Sequence, residues 1–184
     1  MSGRLSLAVL ILLLLISGCG DEDSLTEPEK IIDEWSFPEN LNFAITLYSE
    51  EDSVAVGDSF DVKIVFYNIR RAFGTAMEIS YNSDIVEISR VISGPYFSPD
   101  SLTIMLSVIE PDLNRISYGV SYVKDSGMTV SGSGIVAKLR CIGKNRGTAK
   151  FRLTPGKFEI IGTDGNLVTN FRSLTITNAT VIVE

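Results

Sequence analysis

Beyond Asn42 apolar and polar positions alternate. Phe43, Ile45 and Leu47 are separated by small or polar residues, and the same period of two returns in Phe60, Val62, Ile64 and Phe66 and in Met77, Ile79 and Tyr81. It continues in Ile116, Tyr118 and Val120, then in Ile135, Ala137, Leu139 and Cys141, and the last run is "SLTITNATVIVE". Successive strand residues point to opposite faces, so this period predicts strands with one buried face. Between the runs stand "VGDS", "YNSD", "SGPYFSPD", "EPDLN", "KDSG", "KNRG" and "GTDGN", rich in the Gly, Pro, Asn, Asp and Ser that turns demand. No stripe of helical period after residue 42 exceeds two turns. The pattern predicts an all-β sandwich or barrel over residues 42–184, with the alternating apolar residues as its core.

The first 41 residues follow other rules. Leu5 to Ile16 is apolar except for Ser6, and Arg4 supplies a positive charge before it. At about 1.5 Å per residue this run would reach ~18 Å, against a hydrocarbon core of about 30 Å, so it is too short to span a membrane and reads as an export signal. Ile16-Ser17-Gly18-Cys19 resembles the bacterial lipobox, in which a branched apolar residue and two small ones precede the cysteine that receives lipid. That resemblance implies a signal peptide over 1–18, Cys19 as lipidation site and first mature residue, and membrane attachment through lipid alone. Gly20 stands where some Gram-negative bacteria place a retention signal, so the expected destination is the outer membrane or cell surface. Residues 19–41 read as an acidic tether: between Asp21 and Glu39 lie eight acidic residues, one lysine, Lys30, and two prolines. Like charges keep such a segment extended.

Composition removes function classes. The 184 residues carry 16 basic and 23 acidic side chains, a net charge of −7, with no basic stripe for nucleic acid. There is no histidine, which excludes Ser-His and Cys-His nucleophile activation and the commonest metal ligand. A carboxylate pair of glycosidase type is the remaining chemistry, and the acidic residues sit mostly in turns and in the tether. The sequence therefore points away from an enzyme, with no catalytic residue, no metal site and no cofactor expected. With Cys19 given to lipid, Cys141 is the one remaining thiol, and its strand-like surroundings make it a small core residue.

The order of the runs is recognisable. "SVAVGDSFDVKIVFYNI", then "EISYNSDIVEI", "NRISYGVSYVKDSG", "GSGIVAKLRCI" and "FEIIGTDGN" together resemble the cohesin domain of cellulosome scaffoldins and related surface proteins. The resemblance implies a nine-stranded jelly-roll sandwich that binds a dockerin, a small module that carries the calcium of the complex itself. It also implies a recognition surface on one sheet face with adjoining loops. Carried onto this chain, that surface comprises Gly74, Ala76, Glu78 and Ser80, the turn at Glu110 and Asp112, and the loop Lys124, Asp125, Ser126 and Gly127. Cohesins of the first type carry Asn at the position of Gly74, Asp at that of Ala76, Tyr near Glu110 and Glu at that of Lys124. Only the run Asp125-Ser126-Gly127 is kept, so the implied partner differs in charge from the standard one. By strand parity alone, Ala76, Glu78 and Ser80 point outward, whereas Met77, Ile79 and Tyr81 point inward.

Taken together, these features predict a non-catalytic lipoprotein that tethers a dockerin-bearing partner, for instance a polysaccharide-degrading enzyme. Two alternatives stand beside it. A carbohydrate-binding module would need exposed aromatic rings, and Tyr96 and Phe97 in "SGPYFSP" are the pair placed to stack on a sugar or to plug the end of the sandwich. The other is a structural or adhesive surface lipoprotein without a dockerin partner.

Overall fold

The computed structural model describes residues 43–97, 103–123, 128–166 and 174–184. The export signal, Cys19, the acidic tether and the loop Lys124 to Gly127 lie outside these residues. Eleven strands are formed among the described residues: β1 (Ala44–Ser49), β2 (Ser53–Val54), β3 (Ser59–Ala72), β4 (Gly74–Ser80), β5 (Val86–Ser93), β6 (Thr103–Glu110), β7 (Arg115–Tyr122), β8 (Val130–Gly143), β9 (Gly147–Ile161), β10 (Thr175–Thr177) and β11 (Ala179–Val183). A 3-10 turn, Pro111–Leu113, joins β6 to β7.

The strands form two sheets, one ordered β10-β1-β3-β8-β5 and the other β2-β11-β9-β4-β7-β6. The chain changes sheet between every two consecutive strands except β6 and β7, so most neighbours in sequence lie in opposite sheets. The all-β sandwich expected from the alternation is what forms. The count of nine implied by the resemblance is exceeded, because β2 and β10 add short parallel pairings to β11 and β1. β2 is two residues long and carries no periodicity, and β10 lies inside the run "SLTITNATVIVE", which the structure divides between the two sheets as β10 and β11.

The core follows parity. Phe60, Val62, Ile64 and Phe66 of β3 and Leu139 and Cys141 of β8 join Met77, Ile79, Ile116, Tyr118, Phe151 and Ile160 of the other sheet in one cluster. Phe60 meets Phe151 edge-on across the two sheets, with ring centroids 6.3 Å apart. Each such side chain stabilises the fold by about 1.5–3 kcal/mol on full burial. Among the described residues the cluster runs from Ile45 to Val183 and joins both sheets. Burial also pushes the Cys141 thiol far up from its ordinary range, which fits a packing role rather than a reactive one.

One run breaks the alternation. In β8, Ile135, Val136 and Ala137 are all buried, because the register with β3 shifts between Ile64 and Val65 and turns an extra residue inward. Two carbonyls of this bulge accept three hydrogen bonds nearby. The Val136 carbonyl accepts from the Gly94 N–H (2.8 Å) and the Tyr118 hydroxyl (3.2 Å), and the Ile135 carbonyl accepts from the Tyr96 N–H (2.9 Å). Gly94 is required here, since a Cβ on it would stand 2.1 Å from the Ile135 oxygen.

That close approach draws the following residues into the sandwich end. Tyr96 is 6% exposed and Phe97 0%. Their rings stand edge to face at 5.1 Å, and Phe97 packs on Tyr122 at 5.9 Å and Phe66 at 6.5 Å. Neither ring offers a face to a sugar. Of the two roles open to this pair, burial fits the plug, and the possible sugar contact of Tyr96 and Phe97 is corrected.

Candidate functional site

The two outer faces of the sandwich differ in kind. On the outer side of the five-stranded sheet two ion pairs stand out. Arg140 holds Asp61 by two bonds (Nε to Oδ1 2.5 Å, Nη2 to Oδ2 3.0 Å), and Lys63 pairs with Glu50.

The outer face of the six-stranded sheet is built from β9, β4, β7 and β6, and its residues fall into rows set by register. Ala76 stands between Glu159 of β9 and Gly119 of β7, and Gly119 stands opposite Leu106 of β6. In the next row Glu78 faces Ser117, which faces Val108; on the other side Gly74 faces Ser121, which faces Ile104. The centre of the face is therefore made of Gly, Ala and Ser, and its β6 margin of Ile104, Leu106 and Val108, which are 58%, 68% and 47% exposed. Between these lies an open groove of about 520 Å³, lined among others by Ala76, Glu78, Leu106, Val108, Gly119 and Lys157. Small-molecule sites enclose their ligand. An open trough of small residues with an apolar margin suits another macromolecule's surface.

The opposite margin comes from an irregularity in β9. Met77 pairs with Phe158 but Ile79 pairs with Leu153, so Thr154 to Lys157 leave the ladder as a short flap. Pro155 and Gly156, the latter at φ 72°, supply the turn chemistry. The flap sets exposed Lys157 at the groove edge.

One end of the face is organised by Arg115. Its guanidinium donates from Nε to Glu110 Oε2 (2.7 Å), from Nη2 to Glu110 Oε1 (3.0 Å) and from Nη1 to Glu78 Oε2 (3.4 Å). This fork joins β4, β6 and β7, and the bonds from Arg115 hold the Glu110 carboxyl below its ordinary range. Below it, Asn114 turns the chain at φ 53°; its carbonyl accepts from Tyr81 N–H (2.9 Å) and its Oδ1 from Ser83 N–H (2.9 Å).

The residues singled out in the sequence distribute as follows. Ala76 is exposed and Glu78 and Ser80 half-buried, all three outward as parity required. Glu110 joins them through Arg115, and Asp112 lies exposed in the 3-10 turn at the same end. Gly74 differs. It is buried, and a Cβ there would stand 2.7 Å from the Ser121 Cβ, so it supplies close strand packing and no contacting side chain. Lys124, Asp125, Ser126 and Gly127 lie outside the described residues. Sequence reasoning missed the β6 row, Gly119, Arg115 and the flap. The signal for β6 was present as "LTIMLSVIE", an apolar run on both parities and therefore without the alternation that marks a half-buried strand.

Comparison with known proteins places this geometry. The cohesin-domain family model matches residues 45–183. No curated protein matches the chain. Among solved structures, a non-cellulosomal cohesin from the archaeon Archaeoglobus fulgidus is similar with TM-score 0.61 at 18% identity, covering 77% of this chain and 91% of that one. A type II cohesin domain from the cellulosome of Acetivibrio cellulolyticus gives 0.65 at 13% identity over 76% and 94%. A type II cohesin–X–dockerin complex from the same organism gives 0.66 at 14% over 77% and 99%. With the model matched across nearly all of the sandwich, the chain belongs to the cohesin family, whose members are structural, non-catalytic binding modules.

Proposed function

We propose that the chain captures a dockerin-type module on the outer face of β9, β4, β7 and β6 and holds it at the cell surface through lipid on Cys19. The observation that carries the capture is the pairing of a flat Gly-Ala-Ser centre with the exposed row Ile104, Leu106 and Val108, inside a sandwich of cohesin type. Small residues let a partner's backbone come close, and the apolar row supplies area to bury. Three of the similar structures are complexes of cohesins with dockerins, which supports the same class of partner here.

The charges on the face refine the partner. Glu78 and Glu110 are already engaged by Arg115, and the family's acid is replaced by Ala76. Attraction to a basic module is thus weakened, and the fit favours a dockerin with an apolar contact ridge. Interface charges govern specificity and association rate more than affinity, so this chain selects a different dockerin from those that meet an acidic face. The lipobox at Ile16 to Cys19 and the acidic run to Glu39 support the remaining part, an exported module on an extended stalk.

The test uses the region from Gly20 to Glu184, immobilised, and recombinant dockerin modules from the same organism, with and without calcium. Calcium-dependent retention of at least one is expected. Retention of none under either condition contradicts the proposal.

A further inference from the structure

The docking face runs out at the Ser80 end of β4, and the surface beyond it changes in chemistry. Two open troughs of about 580 and 600 Å³ meet there, with Ser80, Leu113, Asn114 and Arg152 in the walls of both. Arg152 stands beside Ser80 in the register of β9 with β4, and Lys150 is the neighbouring outward residue of β9. Both cations are exposed, and among the described residues neither has a carboxylate within ion-pair distance. Asparagines in the walls add donors. Asn82 Oδ1 accepts from the Asp84 N–H (3.0 Å), Asn114 Oδ1 from the Ser83 N–H (2.9 Å) and Asn178 Oδ1 from the Leu153 N–H (3.3 Å). Each amide thus spends its oxygen on backbone and keeps its Nδ2 donors for a ligand. Two carboxylates also line the troughs. Glu78 is held by Arg115, and Asp84 adjoins Ser83, whose carbonyl accepts from the Lys144 ammonium (2.8 Å).

We infer that this end of the face takes an acidic peptide segment, with carboxylates on Arg152, Lys150 and the amide donors. An ionised carboxylate only accepts, so it matches walls whose unspent groups are donors. The guanidinium fork of Arg152 suits it further, since its two parallel N–H groups fit both oxygens. The walls favour a peptide over an acidic polysaccharide. Tyr81, the aromatic residue among them, is 5% exposed and shows no ring face to a sugar, whereas Leu113 is 58% exposed and can bury an apolar neighbour of the acid. The site is also continuous with the docking groove, because Glu78 lines both the groove and the nearer trough. On the capture reading above, on which this step rests, the segment belongs to the docked protein and flanks its module. Partners with an acidic flank are then selected over those without one.

Charge-matched variants test this. Arg152→Glu should slow association of a retained dockerin, expressed with its flanking segments, about tenfold at low salt. Arg90→Glu, the same charge change on β5 of the opposite sheet, should not, and the gap should close as salt screens the charges. The urea midpoint of Arg152→Glu should match wild type, because Arg152 is exposed. Titration with oligoglutamate, followed by backbone amide shifts, reads the troughs without any dockerin. Changes are expected at Asn82, Asn114, Lys150 and Arg152 and should vanish in Arg152→Glu. A dockerin retained at equal rates by both variants overturns the inference and leaves the capture standing. Retention of none, with the oligoglutamate shifts present, overturns the capture and leaves the acidic-peptide site standing. Silence toward oligoglutamate, or shifts with polygalacturonate alone, overturns the assignment to an acidic peptide.

Discussion

Gly94 and Gly74 show how single positions decide what a face presents. At Gly94 the missing Cβ admits the Ile135 carbonyl and so seats Phe97 in the core; at Gly74 it admits Ser121 and removes a side chain from the docking face. The first has a measurable consequence. Phe97→Ala should lower stability by about 3–5 kcal/mol, the cost of emptying a fully buried Phe site, read as a shift of the urea midpoint with unchanged slope. A surface ring would cost almost nothing. Glu110 makes a pH prediction. Its folded pKa is lowered by the bonds from Arg115, so its contribution to stability is fully present above the ordinary value of 4.5 and is lost as pH falls through the lowered folded value. Thermal unfolding should therefore show wild type above Glu110→Gln at neutral pH, with the two curves converging in acid below that window; a gap that persists there would contradict the ion pair.

At the scale of elements, legibility depended on whether one face or two were buried. β3, β4 and β7 alternate and were readable, because one parity meets the core and the other meets water. β6 did not alternate, since as an edge strand it meets the core with neither parity fully. The flap at Thr154 to Lys157 was hidden for another reason: four residues leaving a ladder look like any turn until the register on both sides is known. Tyr96 and Phe97 sat in a Gly-Pro-rich segment that resembles a loop, and only the β8 bulge reveals that the segment folds inward. If β6 is the adhesive margin, Leu106→Ala should weaken dockerin binding by about 2 kcal/mol, some 30-fold, as for an interface hot spot. Its urea midpoint should not change, because Leu106 is 68% exposed in the free chain. Calorimetry and denaturation together check this.

The whole molecule is legible partly in its sequence and partly only in its fold. The class of fold was visible in the period of two, and its membership in the cohesin family in the order of the runs. The two extra strands and the ionic fork of Arg115 needed coordinates, because they depend on contacts between residues far apart in the chain. The anchoring half of the account rests on the sequence alone. Cys19→Ala should abolish incorporation of labelled palmitate and release the protein from the membrane fraction, while leaving dockerin capture unchanged; label retained in the variant would contradict lipidation at Cys19.

The docking face is the claim on which the rest depends, and mapping backbone amide shifts as a retained dockerin is titrated in tests it most directly. The account predicts that the changes concentrate on Ala76, Glu78, Gly119 and the β6 row from Ile104 to Val108, with Asp61, Lys63 and Arg140 on the opposite sheet unmoved. Changes centred on the five-stranded sheet, with β4, β6 and β7 silent, would contradict it.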